Sequence, residues 1–340
     1  MQQILTYTFL VLYSITILGV VVVIITDNRN PLKTLPWIIV LLLAPVVGLA
    51  FYFFFGQNLS KKRIISRPTL KRITLHLDEA HHVACPAPPR RYRPPLLPFP
   101  TPFPALPPSR PHRLPYTDGQ SKMEALLGEI ARARHHIHLQ YYIFSDDETG
   151  SRLRDILVAK AREGVRVRIL YDEVGCRRVK KEFFRGMRRE GIEVHAFLHV
   201  KFPRFTSKVN YRNHRKIAVI DGRVGFMGGM NVADRYVRGT GWGSWRDTHF
   251  RIEGRGVAGL QIAFLSDWSA TTKQHLSGSE YFPAARCYTG NILQIVAGGP
   301  FGKWRALLQA ASYAIIRSRT RPWTPPPSSL PSAAQTTPRL

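Results

Sequence analysis

An uncharged apolar run opens the sequence and extends from Ile4 to Ile25. A helix needs about 20 apolar residues to cross the hydrocarbon core of a bilayer, so this run is long enough. A second apolar run follows a short polar link and extends from Leu35 to Phe55. The first run has no basic segment before it and no small-residue cleavage pattern after it, which argues against a signal peptide. The sequence therefore predicts two transmembrane helices within an anchor of residues 1–60.

Basic residues gather immediately after the second apolar run, whereas the link between the runs holds only Arg29 and Lys33. Because lysine and arginine favour the cytoplasmic side of a membrane, this asymmetry predicts a multi-pass protein of the inner (plasma) membrane. The main domain would then lie in the cytoplasm. The basic residues after the second run are Lys61, Lys62, Arg63, Arg67, Lys71 and Arg72.

The whole chain carries a formal charge of +27, from 49 lysines and arginines against 22 acidic residues. Such an excess predicts a polyanionic partner, either an anionic lipid surface or nucleic acid. The two apolar runs favour anionic phospholipid and a membrane over nucleic acid. The alternative is that part of the excess lies in Arg-rich and Pro-rich segments that have no function.

The sequence predicts no metal and no cofactor. A histidine cluster at 135, 136 and 138 lacks the cysteine or carboxylate spacing of a known metal site. The cysteines are widely separated without a C-x-x-C pair, so neither a disulfide framework nor a zinc site is expected. These cysteines are Cys85, Cys176 and Cys287.

Helical and strand patterns alternate from Tyr116 onward, which is typical of an α/β layered domain. Ser121 is the predicted N-cap of the first helix. We expect this domain to cover residues 116–300, followed by a residual helix and a disordered tail over 301–340. The remaining predicted helices are Ser151–Gly164 and Arg177–Glu190, and the predicted strands are His136–Phe144, Val165–Tyr171, Ile192–Leu198 and Thr248–Ile252.

The segment most informative about chemistry has the pattern H-x-K-x4-D, formed by His214, Lys216 and Asp221. On a strand, His214 and Lys216 project to the same side, so one anionic group can contact both. A lysine there would be costly to bury without an anion, which favours phosphate handling over a core histidine. Asp221 and Gly222 predict a hairpin turn. A G-G-x-N turn follows six residues later, with Gly228, Gly229 and Asn231.

These motifs, with Trp245–His249 and Phe264–Trp268, resemble the phospholipase D superfamily and within it the bacterial cardiolipin synthases. The resemblance runs from about Tyr116 to Gln294 and also includes the two N-terminal apolar runs. It implies an α/β phospholipase D-like layered domain, a mixed sheet flanked by helices, preceded by two transmembrane helices.

The resemblance also implies roles for the motif residues. His214 would be the nucleophile that forms a phosphohistidine, or its acid partner, and Lys216 would hold the phosphoryl oxygens. Asn231 would add a hydrogen bond to those oxygens. Asp221 belongs to the catalytic motif but is expected to brace the loop and orient its neighbours.

The two turn glycines, Gly228 and Gly229, would let the backbone approach the phosphate closely. Gly229 stands where many superfamily members have serine, so one hydroxyl contact would be missing.

Four further residues have two interpretations each. Asp247 and Glu253 either hold a histidine ring through a carboxylate hydrogen bond or are ordinary surface charges. Tyr141 and Tyr142 either line the pocket or belong to the core.

The resembled synthases carry two H-x-K-x4-D motifs, and this sequence contains one. The implied activity converts two phosphatidylglycerol molecules into cardiolipin and glycerol, and a homodimer would complete the site. Two alternatives stay open: a phospholipase D or nuclease-type phosphodiesterase, and an inactive truncated remnant.

Half of the 26 prolines fall between Ala84 and Pro115, within a basic and Pro-rich linker of residues 61–115. Helices and interior strands exclude such a composition, so an extended linker is predicted. The resembled family has no proline tract here, which suggests a shifted reading frame as a hypothesis. The tail from Arg317 to Leu340 lacks periodicity and raises the same question.

Overall fold

The computed structural model describes residues 1–26, 31–44, 47–48, 51–52, 66–75, 113–197, 212–241, 243, 245–284 and 295. Most of the proline tract of 84–115, the residual helix and the tail of 301–340 lie outside the described residues. The predictions for those segments, and the predicted domain boundaries, stay predictions.

The N-terminal helix α1 covers Gln2–Thr26. Within the described part of the chain it is the one helix long and apolar enough to cross a membrane, with a mean hydropathy of 1.3 over Gln2–Gly19. Helix α2 covers Pro31–Leu43, and its 13 residues are fewer than a crossing needs. A second crossing therefore stays a prediction.

Seven strands form one mixed sheet, as predicted from the alternation of elements. Its spatial order is first, seventh, sixth, fifth, second, third, fourth. The second, third and fourth strands run parallel, and every other pairing is antiparallel. The strands are β1 Arg113–Tyr116, β2 His136–Tyr141, β3 Arg166–Asp172, β4 Glu193–Phe197, β5 Lys216–Ile220, β6 Val224–Gly228 and β7 His249–Glu253.

Helices cover both faces of this sheet, which gives the layered α/β architecture expected. One face packs on apolar residues of the next three helices after β1, and the other packs on the last helix. The helices beyond α2 are α3 Arg67–Thr74, α4 Gly119–Ala131, α5 Glu148–Arg162, α6 Lys181–Arg189, α7 Asp234–Val237 and α8 Gly256–Thr272.

Helix α3 joins the chain that follows the apolar N-terminus to the layered domain. Its Ile73 is fully buried and, with Leu70, belongs to the apolar cluster around Phe264 and Trp268 of α8. Its Lys71 and Arg72 are exposed. The helix thus has an apolar side toward the domain and a basic side toward solvent.

Two element boundaries differ from the sequence prediction for identifiable reasons. Asp118, rather than Ser121, is the N-cap of α4, because its carboxylate accepts the N–H of Ser121 at 2.8 Å. Strand β2 ends at Tyr141 rather than Phe144, because the next amides leave the ladder. The N–H of Ile143 donates to the Asn231 side chain at 3.0 Å.

Helix α6 begins four residues later than predicted, at Lys181 instead of Arg177. The preceding residues form turns, and the N–H of Lys180 donates to the Asp146 carboxylate at 3.0 Å. Helix α5, in contrast, begins earlier than predicted, at Glu148 instead of Ser151, because Asp147 caps it by accepting the N–H of Gly150.

The predicted hairpin turn at Asp221 and Gly222 is confirmed. Both residues have positive φ, 52° and 64°, which Asp-Gly pairs accommodate at low cost. The Asp221 carboxylate also accepts three backbone N–H groups, from Arg134 at 2.9 Å, His135 at 2.8 Å and His136 at 2.9 Å. It thereby fixes the connection between α4 and β2.

Replacing Asp221 with asparagine should therefore destabilise the fold. An amide has one acceptor oxygen and no charge, so at least one of the three N–H groups loses a charge-assisted bond, at a cost of about 2 kcal/mol. Denaturant unfolding of the purified chain measures this loss. Asp155→Asn, at an exposed carboxylate paired with Arg154, is the matched control and should change stability by less than about 0.5 kcal/mol. Equal stability of Asp221→Asn and the control would contradict the bracing role.

Candidate active site

The loop that leads into β5 carries His214 and is held by two buried carboxylates. Asp172, at the end of β3, is 1% exposed and accepts the backbone N–H of Asn213 at 3.4 Å. Its other oxygen accepts the N–H groups of Val174 and Gly175 at 2.9 and 3.0 Å. An Arg212 guanidinium nitrogen lies 3.7 Å from the first oxygen. Asp172 thus fixes one side of the loop.

Asp267, on α8, holds the other side of the same loop. One of its oxygens accepts the Asn213 side-chain amide at 2.8 Å and the Gln140 amide at 2.6 Å, and it forms an ion pair with Arg215. The Asn213 side chain in turn accepts the N–H of Arg215 at 3.1 Å. Such a hub restricts the backbone on both sides of His214.

His214 and Lys216 lie together, as their spacing predicts. The Lys216 ammonium donates to the His214 carbonyl at 2.7 Å, and its Nζ lies 3.0 Å from His214 Nδ1. Lys216 is 3% exposed, whereas the His214 side chain is exposed. The site therefore combines a fixed, buried cation with an accessible imidazole, an arrangement suited to an anionic substrate.

The two neighbouring tyrosines separate into the two roles considered. The Tyr142 ring lies 4.7 Å from the His214 ring and 5.3 Å from Lys216 Nζ, so it lines the site. Tyr141 is fully buried in the main apolar cluster. Tyr141 is the last residue of β2 and packs into the core, whereas Tyr142 follows the end of the strand and turns toward His214.

Burial makes both motif bases weaker. It lowers the pKa of Lys216 to about 8, against an opposing attraction from the Asp247 carboxylate. Burial also lowers the pKa of His214, and the Lys216 charge adds to this effect. Asp172 and Asp247 act in the opposite direction. At neutral pH His214 is thus mainly the uncharged imidazole that a nucleophile requires, while Lys216 is mainly a cation.

The two turn glycines are required by the approach of the chain at the start of β7. A Cβ on Gly228 would lie 2.4 Å from the Thr248 carbonyl oxygen, and one on Gly229 would lie 2.0 Å from an Asp247 carboxylate oxygen. The carboxylate of Asp247 therefore occupies the space that a serine side chain at position 229 would need. Both glycines are explained by packing, and their predicted approach to a phosphate stays a prediction.

Asn231 lies behind the site and is 2% exposed. Its side-chain oxygen accepts the N–H of Ile143 at 3.0 Å, and its amide donates to the Tyr236 hydroxyl at 2.6 Å. These bonds fix the G-G-x-N turn against the end of β2. A direct bond from Asn231 to a phosphoryl oxygen stays a prediction.

Asp221 and Glu253 lie away from His214. Asp221 follows the last residue of β5, whose first residue is Lys216, so the two are roughly 16 Å apart along the strand. Glu253 lies at the far end of β7 and pairs with Arg251 at 2.5 Å. Of the two carboxylates considered as histidine partners, Asp247 is the one whose charge acts on His214.

The histidine cluster of β2 is separate from the motif and faces α8. His136 and His138 are fully buried and share Gln261, whose side-chain oxygen lies 3.3 Å from His136 Nε2 and whose nitrogen lies 2.8 Å from His138 Nδ1. Among the described residues, no group of three or more histidine, cysteine or acidic side chains is placed to hold a metal ion.

Comparison with known proteins identifies the family. A model described as the cardiolipin synthase phospholipase D-like domain matches residues 126–241, and a phospholipase D-nuclease N-terminal model matches residues 14–57. Cardiolipin synthase 2 of Bacillus cereus is 38% identical over 317 residues, which are 91% of this chain and 62% of that protein. Over these residues the chain matches the cardiolipin synthase branch of the phospholipase D superfamily.

A second cardiolipin synthase shows a similar degree of identity. Cardiolipin synthase of Geobacillus kaustophilus is 36% identical over 330 residues, which are 95% of this chain and 66% of that protein. The chain thus spans slightly less than two thirds of the length of these cardiolipin synthases. Among solved structures, NucT from Helicobacter pylori aligns with 47% of this chain and 98% of its own length, at 15% identity and a TM-score of 0.38.

Physical reasoning from the sequence missed the two carboxylates that hold the loop. Asp267 lies within the Phe264–Trp268 segment, on which the resemblance to cardiolipin synthases partly depends, but its partners are distant in the chain. Asp172 directly follows the predicted strand Val165–Tyr171, and the only local signal is the Glu-Val-Gly sequence after it. Neither pattern indicates which loop the carboxylate contacts.

Asp247→Asn should make His214 a weaker base. Removing a neighbouring negative charge disfavours the imidazolium, so the pKa of His214 falls and more of the neutral ring is present near pH 6. Diethyl pyrocarbonate modifies only neutral imidazole, and mass spectrometry of the peptide that contains His214 gives its rate at each pH. The midpoint of the pH dependence of this rate should move to lower pH in Asp247→Asn, while Asp155→Asn should leave it unchanged. An unchanged or higher midpoint in Asp247→Asn would contradict the proposed influence.

Proposed function

We propose that this chain is a membrane-anchored phosphatidyltransferase that converts two phosphatidylglycerol molecules into cardiolipin and glycerol. One observation carries the proposal: the accessible His214 ring lies 3.0 Å from the buried Lys216 ammonium. The similarity to proteins named cardiolipin synthase supports the choice of substrate.

In the first step, His214 attacks the phosphorus of one phosphatidylglycerol. A nitrogen–phosphorus bond forms, the bond from phosphorus to the glycerol oxygen breaks, and a proton donor delivers a proton to that oxygen. Lys216 binds the phosphoryl oxygens, whose charge the enzyme must stabilise as the bonds change. The products of this step are a phosphatidyl-histidine and glycerol.

The contact between His214 and Lys216 has a consequence for the attacking nitrogen. An ammonium only donates, so the neutral ring accepts at Nδ1 and carries its proton on Nε2. When a phosphodiester binds, Lys216 turns toward its oxygens and releases Nδ1. The proton then resides on Nδ1, stabilised by the nearby negative charge of Asp247, and Nε2 becomes the nucleophile.

In the second step, the glycerol hydroxyl of another phosphatidylglycerol attacks the phosphorus. The nitrogen–phosphorus bond breaks, a base accepts the hydroxyl proton, and His214 is regenerated. A second motif histidine serves as both proton donor and base in this scheme. Since the sequence has one such motif, we propose a homodimer in which two His214 side chains face each other.

The other motif and turn residues have supporting roles in this proposal. Gly228, Gly229 and Asn231 shape the turn beside the bound phosphate, and Asp221 holds the far end of β5. The anchor lies within residues 1–60 and crosses the inner (plasma) membrane twice, so that the domain of residues 116–300 works at the cytoplasmic surface. Anionic phospholipid is the partner, and no cofactor takes part.

Activity is tested by expressing the full chain in membranes that contain phosphatidylglycerol and measuring cardiolipin by mass spectrometry. Wild type should form cardiolipin, and His214→Ala should lose it by at least about a thousandfold, since the covalent step is removed. His275→Ala, at an exposed histidine beyond α8, is the matched control and should retain activity. Phosphatidic acid as the product would indicate a hydrolase instead, and no product from wild type would favour the inactive remnant.

The homodimer is tested by mixing wild type with His214→Ala before reconstitution. If one site needs two His214 side chains, only wild-type pairs are active, so an equal mixture should keep about one quarter of the activity per total protein under random pairing. If the site is complete within one chain, the equal mixture should keep about one half of the activity. Chemical crosslinking of the mixtures verifies that wild-type and His214→Ala chains pair. If they pair and the mixture still keeps one half of the activity, the shared site is contradicted.

A further inference from the structure

A row of titratable side chains lies behind Lys216, on the same face of the sheet. Lys216 is paired with Tyr141 across β5 and β2, and the register of β5 and β6 sets it beside Gly228. Gly228 is paired with His249 of β7. Directly paired residues point to the same face, so Tyr141, Lys216 and His249 form one row, interrupted only by the glycine.

Gly228 leaves space in this row for the His249 ring. A Cβ at position 228 would lie 2.7 Å from His249 Nδ1, closer than van der Waals contact allows. His249 is fully buried, and within the described part of the chain neither of its ring nitrogens has a hydrogen-bond partner. Buried polar atoms almost always have partners, so an unsatisfied imidazole beside a candidate active site requires a functional explanation.

Lys122 of α4 packs under the same row and is also fully buried. Its Nζ lies 3.3 Å from the Tyr141 hydroxyl, 3.4 Å from the Met123 sulfur and 5.0 Å from the centre of the Tyr141 ring. No carboxylate of the described residues lies within ion-pair distance of it. An ammonium buried in this way is costly, because no opposite charge compensates its loss of hydration.

Tyr116 of β1 extends the row by one more titratable group, because it is paired with His249. The titratable side chains of the row are Tyr116 on β1, Tyr141 on β2, Lys216 on β5 and His249 on β7. Among the described residues of α5 and α7, which also pack near α4, none brings a charged side chain within ion-pair distance of Lys122. Two carboxylates act on the row: Asp247 on Lys216, and Glu129 of α4 on Tyr116, where Arg251 opposes it.

The row therefore holds less positive charge than its residue types suggest. Burial lowers the pKa of Lys122 to about 7. Burial also holds the pKa of His249 well below its ordinary value, and the charges of Lys122 and Lys216 act in the same direction. In the free protein His249 is neutral, and Lys122 exchanges its proton near physiological pH.

We propose that Lys122 and His249 are positioning residues of the phosphodiester site, and that Lys122 takes up a proton from the buffer when the anion binds at His214 and Lys216. The anion compensates the buried ammonium, so the amine of Lys122 becomes an ammonium as the complex forms. His249 remains neutral between the two lysines and offers an acceptor nitrogen to the new ammonium. This inference rests on the proposed function, since it requires a phosphodiester at that site.

Calorimetric titration with glycerophosphoglycerol tests the proposal, because this diester does not itself titrate near neutral pH. The full chain in detergent micelles is titrated at pH 8 in two buffers of different ionisation enthalpy, which gives the protons taken up per anion bound. Groups with pKa near 7 and near 8 are about one-tenth and one-half protonated at pH 8. Wild type should therefore take up roughly 1.4 protons, and Lys122→Met roughly 0.5, from Lys216 alone.

The controls separate charge from packing. Lys160→Met removes a lysine of α5 that is 7% exposed and paired with Glu163, and it should leave the uptake unchanged. His249→Gln keeps an acceptor and should retain the wild-type uptake, whereas His249→Phe should lower it toward the Lys122→Met value. If Lys122→Met loses thermal stability, Lys122→Gln keeps a contact to Tyr141 and should show the same reduced uptake.

The outcomes distinguish this inference from the proposed function. Binding with equal proton uptake in wild type and in the folded Lys122 variants overturns the role of Lys122 while leaving the phosphodiester site intact. Wild-type uptake in His249→Phe overturns the role of His249. Failure of wild type to bind the diester overturns the phosphodiester site itself, and this inference with it.

Discussion

Two buried carboxylates, Asp172 and Asp267, fix the loop on which the chemistry depends. They come from β3 and α8, adjacent layers of the domain, and both contact Asn213. Each carboxylate accepts several hydrogen bonds from N–H donors, which offset the cost of its burial. Because the sheet and α8 must both be in place to supply them, correct folding of the layers and correct placement of His214 are one event.

The same arrangement balances charge at a site rich in cations. Arg212 and Arg215 approach the two carboxylates, which offset the charges of these two arginines. Lys216, in contrast, donates to a carbonyl and an imidazole rather than to a carboxylate. Its positive charge is therefore available to an incoming anion. The carboxylates neutralise the two arginines, so Lys216 is the buried cation that can act on a phosphate.

The sequence predicted the elements of the fold and the chemistry of its central strand, and the structure adds the long-range contacts. Local periodicity identified the alternating helices and strands, and Asp221-Gly222 identified the hairpin, because each signal lies within a few residues. Apart from the β5–β6 hairpin, the antiparallel pairings join segments that are distant in the chain. For the same reason Asp267 could not be linked to Asn213 from spacing alone. The contacts of Asn231 to Ile143 and Tyr236 could likewise not be predicted from the motif, because they join segments that are distant in the chain or depend on the fold of the turn.

The difference in exposure between His214 and Lys216 sets a requirement on the complete enzyme. A phosphatidyl-histidine formed on an exposed ring would be open to water, and hydrolysis would compete with transfer to a second lipid. A transferase must therefore cover His214 from the solvent side during the reaction, whereas Lys216 needs no further cover. The group that donates the proton must approach from that same side, since the sheet closes the other. A single surface facing His214 can thus supply both the acid and the exclusion of water, and a second copy of the motif has the chemistry to do so.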